Sequence, residues 1–276
     1  MALLTRPRIF IIIASLVAIW LVSANVLRQP SSPEEPLPVQ PLAKKPDFSA
    51  FTDVKAKKTA FFNYLLPATK FKNTKILNQR KKLLDILAKP TNARKNAEKK
   101  FVKKLALQYG VIENDDRARL SDEQVEQLVR RVDIVPPSMA LAQAASESGW
   151  GTSRFARLGN NFFGEWCYTK GCGLLPSRRP EGAVHEVRKF DSVSDSIAAY
   201  YDNINTGRAY QSLRKIRAQL RANNQTITGA ALAPGLLQYS ERREAYVEDI
   251  QELIRINKLG AYDHSAAASL DLHQGQ

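Results

Sequence analysis

The sequence predicts a mainly helical chain of the α+β class, on three observations. Apolar residues recur at helical spacing in several segments: Val125, Leu128, Val129 and Val132, then Ile197, Tyr200, Tyr201 and Ile204, then Val247, Ile250, Leu253 and Ile254. Proline and glycine fall between these segments, where they end one helix or open the next. Between the first and second stripes lie two turns, one built from Gly149, Trp150 and Gly151, the other from Asn160, Asn161, Phe162, Phe163 and Gly164. The β part of the class rests on motifs set out below.

The chain has 276 residues, 44% of them hydrophobic, and a formal net charge of +14. Five domains or segments are expected. Residues 1–28 begin with Arg6 and Arg8 and continue into a charge-free run from Ile9 to Leu27. At 1.5 Å per residue those 19 positions span about 28 Å, close to a bilayer core of about 30 Å. The preceding arginines favour the cytoplasmic side. The expectation is a single-pass transmembrane anchor in the cytoplasmic membrane, with the C-terminal domain facing the periplasm or cell exterior. A cleaved signal peptide is the competing reading, against which stand the length of the run and the poor cleavage site at Ser23, Ala24 and Asn25. Residues 29–50 contain Pro30, Pro33, Pro36, Pro38, Pro41 and Pro46 and read as an extended linker.

Residues 51–120 form a basic helical region. Its segment 55–104 holds 16 Lys/Arg against Asp85 and Glu98 alone, so the entire excess charge is local. Ile76, Leu83, Leu84 and Leu87 form an apolar stripe, and Pro67 and Pro90 are expected to divide the helices. Outside the membrane such a face suits anionic lipid or a carboxylate-rich wall polymer. Nucleic acid is the usual partner of a basic patch inside a cell, but the anchor argues against it, and none is expected. A solvated helical face without a ligand is equally compatible.

Residues 121–262 form the main domain, and 263–276 a polar, unstructured tail. Ser121 and Gln124 have the spacing of a capping box. Pro136 and Pro137 open a helix of small residues in which Ala140, Ala144 and Glu147 share a face, and Gly149 ends it. Glu147 therefore sits in the last turn, where backbone carbonyls disfavour a carboxylate and raise its pKa. A protonated glutamic acid at neutral pH is what a general acid requires. A glutamate placed only for structure is the alternative.

Here the chain resembles the glucosaminidase family of peptidoglycan hydrolases, and looks most like its bacterial Bax-type branch. The family pattern is approximately Ala-x-x-x-Glu-Ser-x-Trp-Gly-x-Ser, then Asn-Leu-Phe-Gly. Glu147, Ser148, Trp150, Gly151 and Ser153 match the first element; Asn161, Phe163 and Gly164 match the second, with Phe162 in place of leucine. Val187 to Phe190 resembles the family's strand, and Leu237 to Tyr239 with Ala245 and Tyr246 its last cleft segment. The resemblance implies a lysozyme-like glucosaminidase domain, a helical lobe and a small β lobe around a cleft. It implies an endo-β-N-acetylglucosaminidase that cuts the β-1,4 bond of peptidoglycan on the reducing side of N-acetylglucosamine, with Glu147 as general acid. It also implies Trp150, Asn161, Phe163 and Gly164 as substrate-binding residues and Tyr239 as a catalytic cleft tyrosine.

The second carboxylate stays open. Glu186 ranks first, at 39 residues from Glu147, then Glu181, then Glu165. Glu186 is equally readable as a strand residue paired with Arg188. The 2-acetamido group of the substrate is another candidate nucleophile. Cys167 and Cys172 are expected to form a disulfide outside the cytoplasm. Their spacing fits no zinc motif, and no metal or cofactor is expected. The rival readings are a muramidase or lytic transglycosylase, and a non-catalytic wall-binding scaffold.

Overall fold

A computed structural model describes residues 44–114, 119–177, 182 and 184–263. The apolar run Ile9–Leu27, most of the tail and Glu181 lie outside them. Among the described residues no helix is long and apolar enough to cross a membrane.

Helix α1, Val54–Leu87, is capped by the Asp53 side chain, which accepts from the Ala56 N–H. Its 34 residues extend about 51 Å. Pro67 lies inside it rather than at its end, a correction to the expected division. The proline costs one backbone hydrogen bond, but Phe61, Phe62, Tyr64 and Leu65 before it and Thr69, Asn73 and Ile76 after it are all buried. Packing on both sides holds the helix together while Pro67 faces solvent. Pro90 does divide: α2, Asn96–Gln108, starts afterwards.

Helices α3 (Asp122–Arg131), α4 (Pro137–Ser148) and α5 (Arg154–Gly159) follow. Then come three short strands, β1 (Trp166–Cys167), β2 (Gly173–Leu174) and β3 (Glu186–Arg188). After the sheet come α6 (Val193–Thr206), α7 (Gln211–Ala222), α8 (Gly229–Leu232) and α9 (Glu244–Ile256). The strands form an antiparallel sheet in the order β1-β3-β2, with Trp166 opposite Val187 and Cys167 opposite Glu186. This is the mainly helical α+β arrangement with a small β lobe.

Two apolar clusters result. The larger surrounds α4, where Met139, Ala140, Leu141, Ala142, Ala144 and Ala145 are buried. Small side chains let α1, α8 and α9 approach that helix closely. The smaller cluster joins Leu83 and Ile86 of α1 to Val102 and Leu105 of α2 and Leu128 of α3. Leu84, expected in the same stripe, faces solvent.

The first half of the basic region is thus part of the domain core, in one compact unit with the other described residues. The expected linker likewise ends before residue 50. Phe48 is buried among Phe61, Tyr64 and Phe162. Lys45 Nζ donates to the Ala156 and Arg157 carbonyls and to Asn160 Oδ1. Gly151, at φ +78°, abuts the Phe48 ring so closely that any Cβ would clash with it.

Asp133 ties α1 to α7 from inside. Arg80 Nη1 and Arg217 Nε lie 3.5 and 3.9 Å from its carboxylate, and Arg221 donates to both oxygens. Burial opposes the charge, but the three guanidinium groups prevail and hold the carboxyl below the usual range.

Candidate active site

The site begins where α4 ends. Gly149 closes the helix in the left-handed conformation, φ +55°, and Trp150 follows at φ +59°. Ser148 Oγ donates to the Ala144 carbonyl and accepts from the Gly151 N–H, which locks this reversal. Glu147, in the last turn, is left half-buried at the mouth of the turn.

One oxygen of Glu147 is held from behind. Tyr246 Oη donates to Oε1 at 2.8 Å. Tyr246 accepts in turn from Gln143 Nε2 at 3.0 Å, and Gln143 Oε1 accepts from Tyr200 Oη at 2.6 Å. Gln143 lies one helical turn before Glu147, so both point from one face of α4. Desolvation raises the Glu147 pKa, and the Tyr246 hydrogen bond pulls it partly back. The other oxygen, Oε2, faces Gly164: a Cβ there would lie 3.7 Å from it. Gly164 has φ +69° and no side chain, which leaves room beside the acid.

Aromatic rings frame the network. Phe163 stacks on Tyr200 at 4.1 Å, and Tyr239 on Tyr246 at 5.2 Å. Tyr239 Oη donates to the Phe163 carbonyl at 2.8 Å, linking the segment before α9 to the turn that carries Gly164. Burial first, and Glu147 second, push the Tyr239 and Tyr246 pKa values upward, so both phenols stay protonated as donors.

A family profile described as Glucosaminidase, mannosyl-glycoprotein endo-beta-N-acetylglucosaminidase, matches residues 122–259. The chain belongs to the glucosaminidase family. It is 35% identical over 201 residues to the protein bax of Escherichia coli strain K12, which covers 73% of this chain and 70% of that one. No solved structure matches it. The match starts at α3, yet the core of this glucosaminidase domain also takes in the first half of α1.

Within the glucosaminidase domain, Glu147, Gly164 and Tyr239 come together. Phe163 is buried, and Trp150 packs on Phe61 and Phe62 with Lys58 Nζ above its ring. Asn161 is buried too. Its Nδ2 donates to the Glu165 and Arg188 carbonyls, and its Oδ1 accepts from the Phe163 and Glu165 N–H groups. Asn161 shapes the turn, and its polar atoms are already engaged. Asn161 and Phe163 are thus buried, whereas Trp150 keeps part of its surface exposed.

Glu186 is buried in β3, and its two oxygens accept from the Gly171 and Gly173 N–H groups. It braces the loop closed by the Cys167–Cys172 disulfide, which is formed as expected. Both sulfurs lie beside the Glu186 carboxylate, and the disulfide leaves no thiolate there for a metal. Glu165 Oε1 accepts from Asn203 Nδ2, and burial raises its pKa. Gln143, Tyr200 and Tyr246 were missed as site residues by sequence reasoning. The available signal was the i, i+4 spacing of Gln143 and Glu147 and the place of Tyr246 in the last matched segment.

Proposed function

We propose that this chain is a peptidoglycan glycosidase that cuts the β-1,4 bond on the reducing side of N-acetylglucosamine, with Glu147 as the proton donor. The observation that carries the reading is the Glu147 carboxyl itself. It is desolvated, which favours the protonated form, and fixed by Tyr246 on one oxygen with the other facing open space at Gly164. In this reading Oε2 gives its proton to the leaving glycosidic oxygen as the C–O bond breaks, and an oxocarbenium-like centre develops on the sugar. Tyr246 stabilises the carboxylate that remains.

The substrate's 2-acetamido oxygen is the favoured partner at the anomeric carbon. Glu186 supports that choice because both of its oxygens are already used in bracing the loop. Water then opens the resulting ring intermediate, its proton returning to Glu147. Tyr239 keeps the turn at Gly164 in position through its bond to the Phe163 carbonyl. The apolar run Ile9–Leu27 would hold the enzyme at the cytoplasmic membrane, facing outward, with the basic helices near anionic lipid or wall polymer.

Mass spectrometry of wall digests tests the reading. Reducing N-acetylglucosamine ends support it. Reducing muramic ends favour a muramidase, and anhydro-muramic ends a lytic transglycosylase. Wild type and Glu147→Gln that both bind wall without clearing it point to a scaffold.

A further inference from the structure

The small sheet carries an aromatic surface that the chemistry at Glu147 does not use. Among the described residues eight large apolar side chains are exposed, and four of them, Trp166, Tyr168, Leu175 and Val184, belong to this lobe. Single exposed apolar residues are ordinary, but a concentration in one short segment marks a contact surface. Trp166 is 54% exposed and lies flat against His185, with centroids 4.3 Å apart and planes 11° apart. The β1–β3 register, with Trp166 opposite Val187, brings the two rings together.

This surface is held stiffly. The Cys167–Cys172 disulfide closes the turn directly after Trp166, and Glu186 pins the same turn through Gly171 and Gly173. A rigid exposed indole loses little conformational freedom on meeting a ligand. It is also close to the acid. Trp166 follows Gly164 by two residues, so their Cα atoms are within about 8 Å. The glycine's Cβ direction, in turn, ends 3.7 Å from Glu147 Oε2.

We infer that Trp166, seated on His185, is a glycan subsite next to the scissile bond, stacking the apolar face of a further sugar of the strand. A pyranose presents axial C–H bonds on one face, and these carry slight positive charge toward the negative face of an aromatic ring. The inference rests on the glycosidase reading and adds to it a preference for long strands.

The test uses the full chain carrying Glu147→Gln, so that ligand is bound and not cut. Peptide-free peptidoglycan fragments of two and six sugars are titrated by calorimetry and by tryptophan fluorescence. Trp166→Ala is expected to weaken the six-sugar fragment about tenfold, to leave the two-sugar fragment unchanged and to abolish most of the fluorescence change. Trp166→Phe is expected to restore most of the affinity. Unchanged melting of both variants shows that the fold is intact. Equal six-sugar affinity with and without Trp166 overturns the subsite alone, as does an equal loss for both lengths. A concentration-dependent dimer lost in Trp166→Ala also overturns it, since the surface then binds a second copy. Failure of the parent to bind either fragment overturns the glycosidase reading together with the subsite.

Discussion

Tyr246→Phe removes one oxygen and two hydrogen bonds, those to Glu147 Oε1 at 2.8 Å and from Gln143 Nε2 at 3.0 Å. Each has its own consequence. Gln143 is fully buried, so its Nε2 becomes a buried donor without that acceptor, at a cost of about 1–3 kcal/mol. In a domain of this size each kcal/mol lowers the melting temperature by roughly 2–4 °C. At Glu147 the tyrosine hydrogen bond favours the charged carboxylate and pulls the pKa down against desolvation. Removing it moves that pKa further up. A general acid works only while protonated, so the alkaline limb of the pH profile shifts to higher pH. The carboxyl also loses its anchor, and a misplacement of about 1 Å costs up to a hundredfold in rate. Wall-clearing rates across pH, with thermal melts alongside, make the measurement. An alkaline limb that moves down or stays in place would refute the assignment of Tyr246 as the partner of a proton-donating Glu147.

Three further outcomes follow from the same geometry. Glu147→Gln is expected to lose about 10²–10⁴-fold in turnover. At neutral pH it is also expected to melt above the wild type. A raised pKa in the folded state means that folding binds protons, so the wild-type site loses stability as pH rises through that pKa; the gap should close in acid, and a variant that melts lower at neutral pH would contradict the sign. Asp133→Asn leaves Arg80, Arg217 and Arg221 converging on a neutral group and should cost about 3–5 kcal/mol in denaturant unfolding. Because the Asp133 pKa is depressed when folded, its contribution is present above the ordinary aspartate pKa and fades as pH falls through the folded value. Reducing Cys167–Cys172, which are five positions apart, should cost about 2 kcal/mol by loop entropy and release the turn that Glu186 braces; unchanged unfolding after verified reduction would show that Glu186 suffices.

The helices were legible because their signals are local. The Ser121/Gln124 box, the Pro137 start and the left-handed Gly149 are all as the spacing predicts. Glu147 was legible for the same reason: its place in a last turn among small residues follows from a dozen consecutive positions. Pro67 misled because the penalty of a proline is local while the packing that outweighs it comes from α4 and α6. Phe48 and Lys45 looked like linker because nothing near them in sequence shows that they fit against Gly151 and the end of α5. Asn161 and Phe163 matched a motif correctly, but a motif does not distinguish a residue that shapes a turn from one that faces the ligand.

The sequence by itself determined the helical class, the family resemblance, the disulfide and the carboxyl at the end of α4. Each depends on residues close together in the chain or on ordered motifs. Only the tertiary structure decided what stands behind and beside that carboxyl. Tyr246 reaches Glu147 from 99 residues away, and Glu186 is turned to the Gly171–Gly173 loop by the register of a three-stranded sheet. Hydrogen-bond partners and open space at an acid are set by which elements pack together, and that information is spread over the whole chain rather than held at any one position.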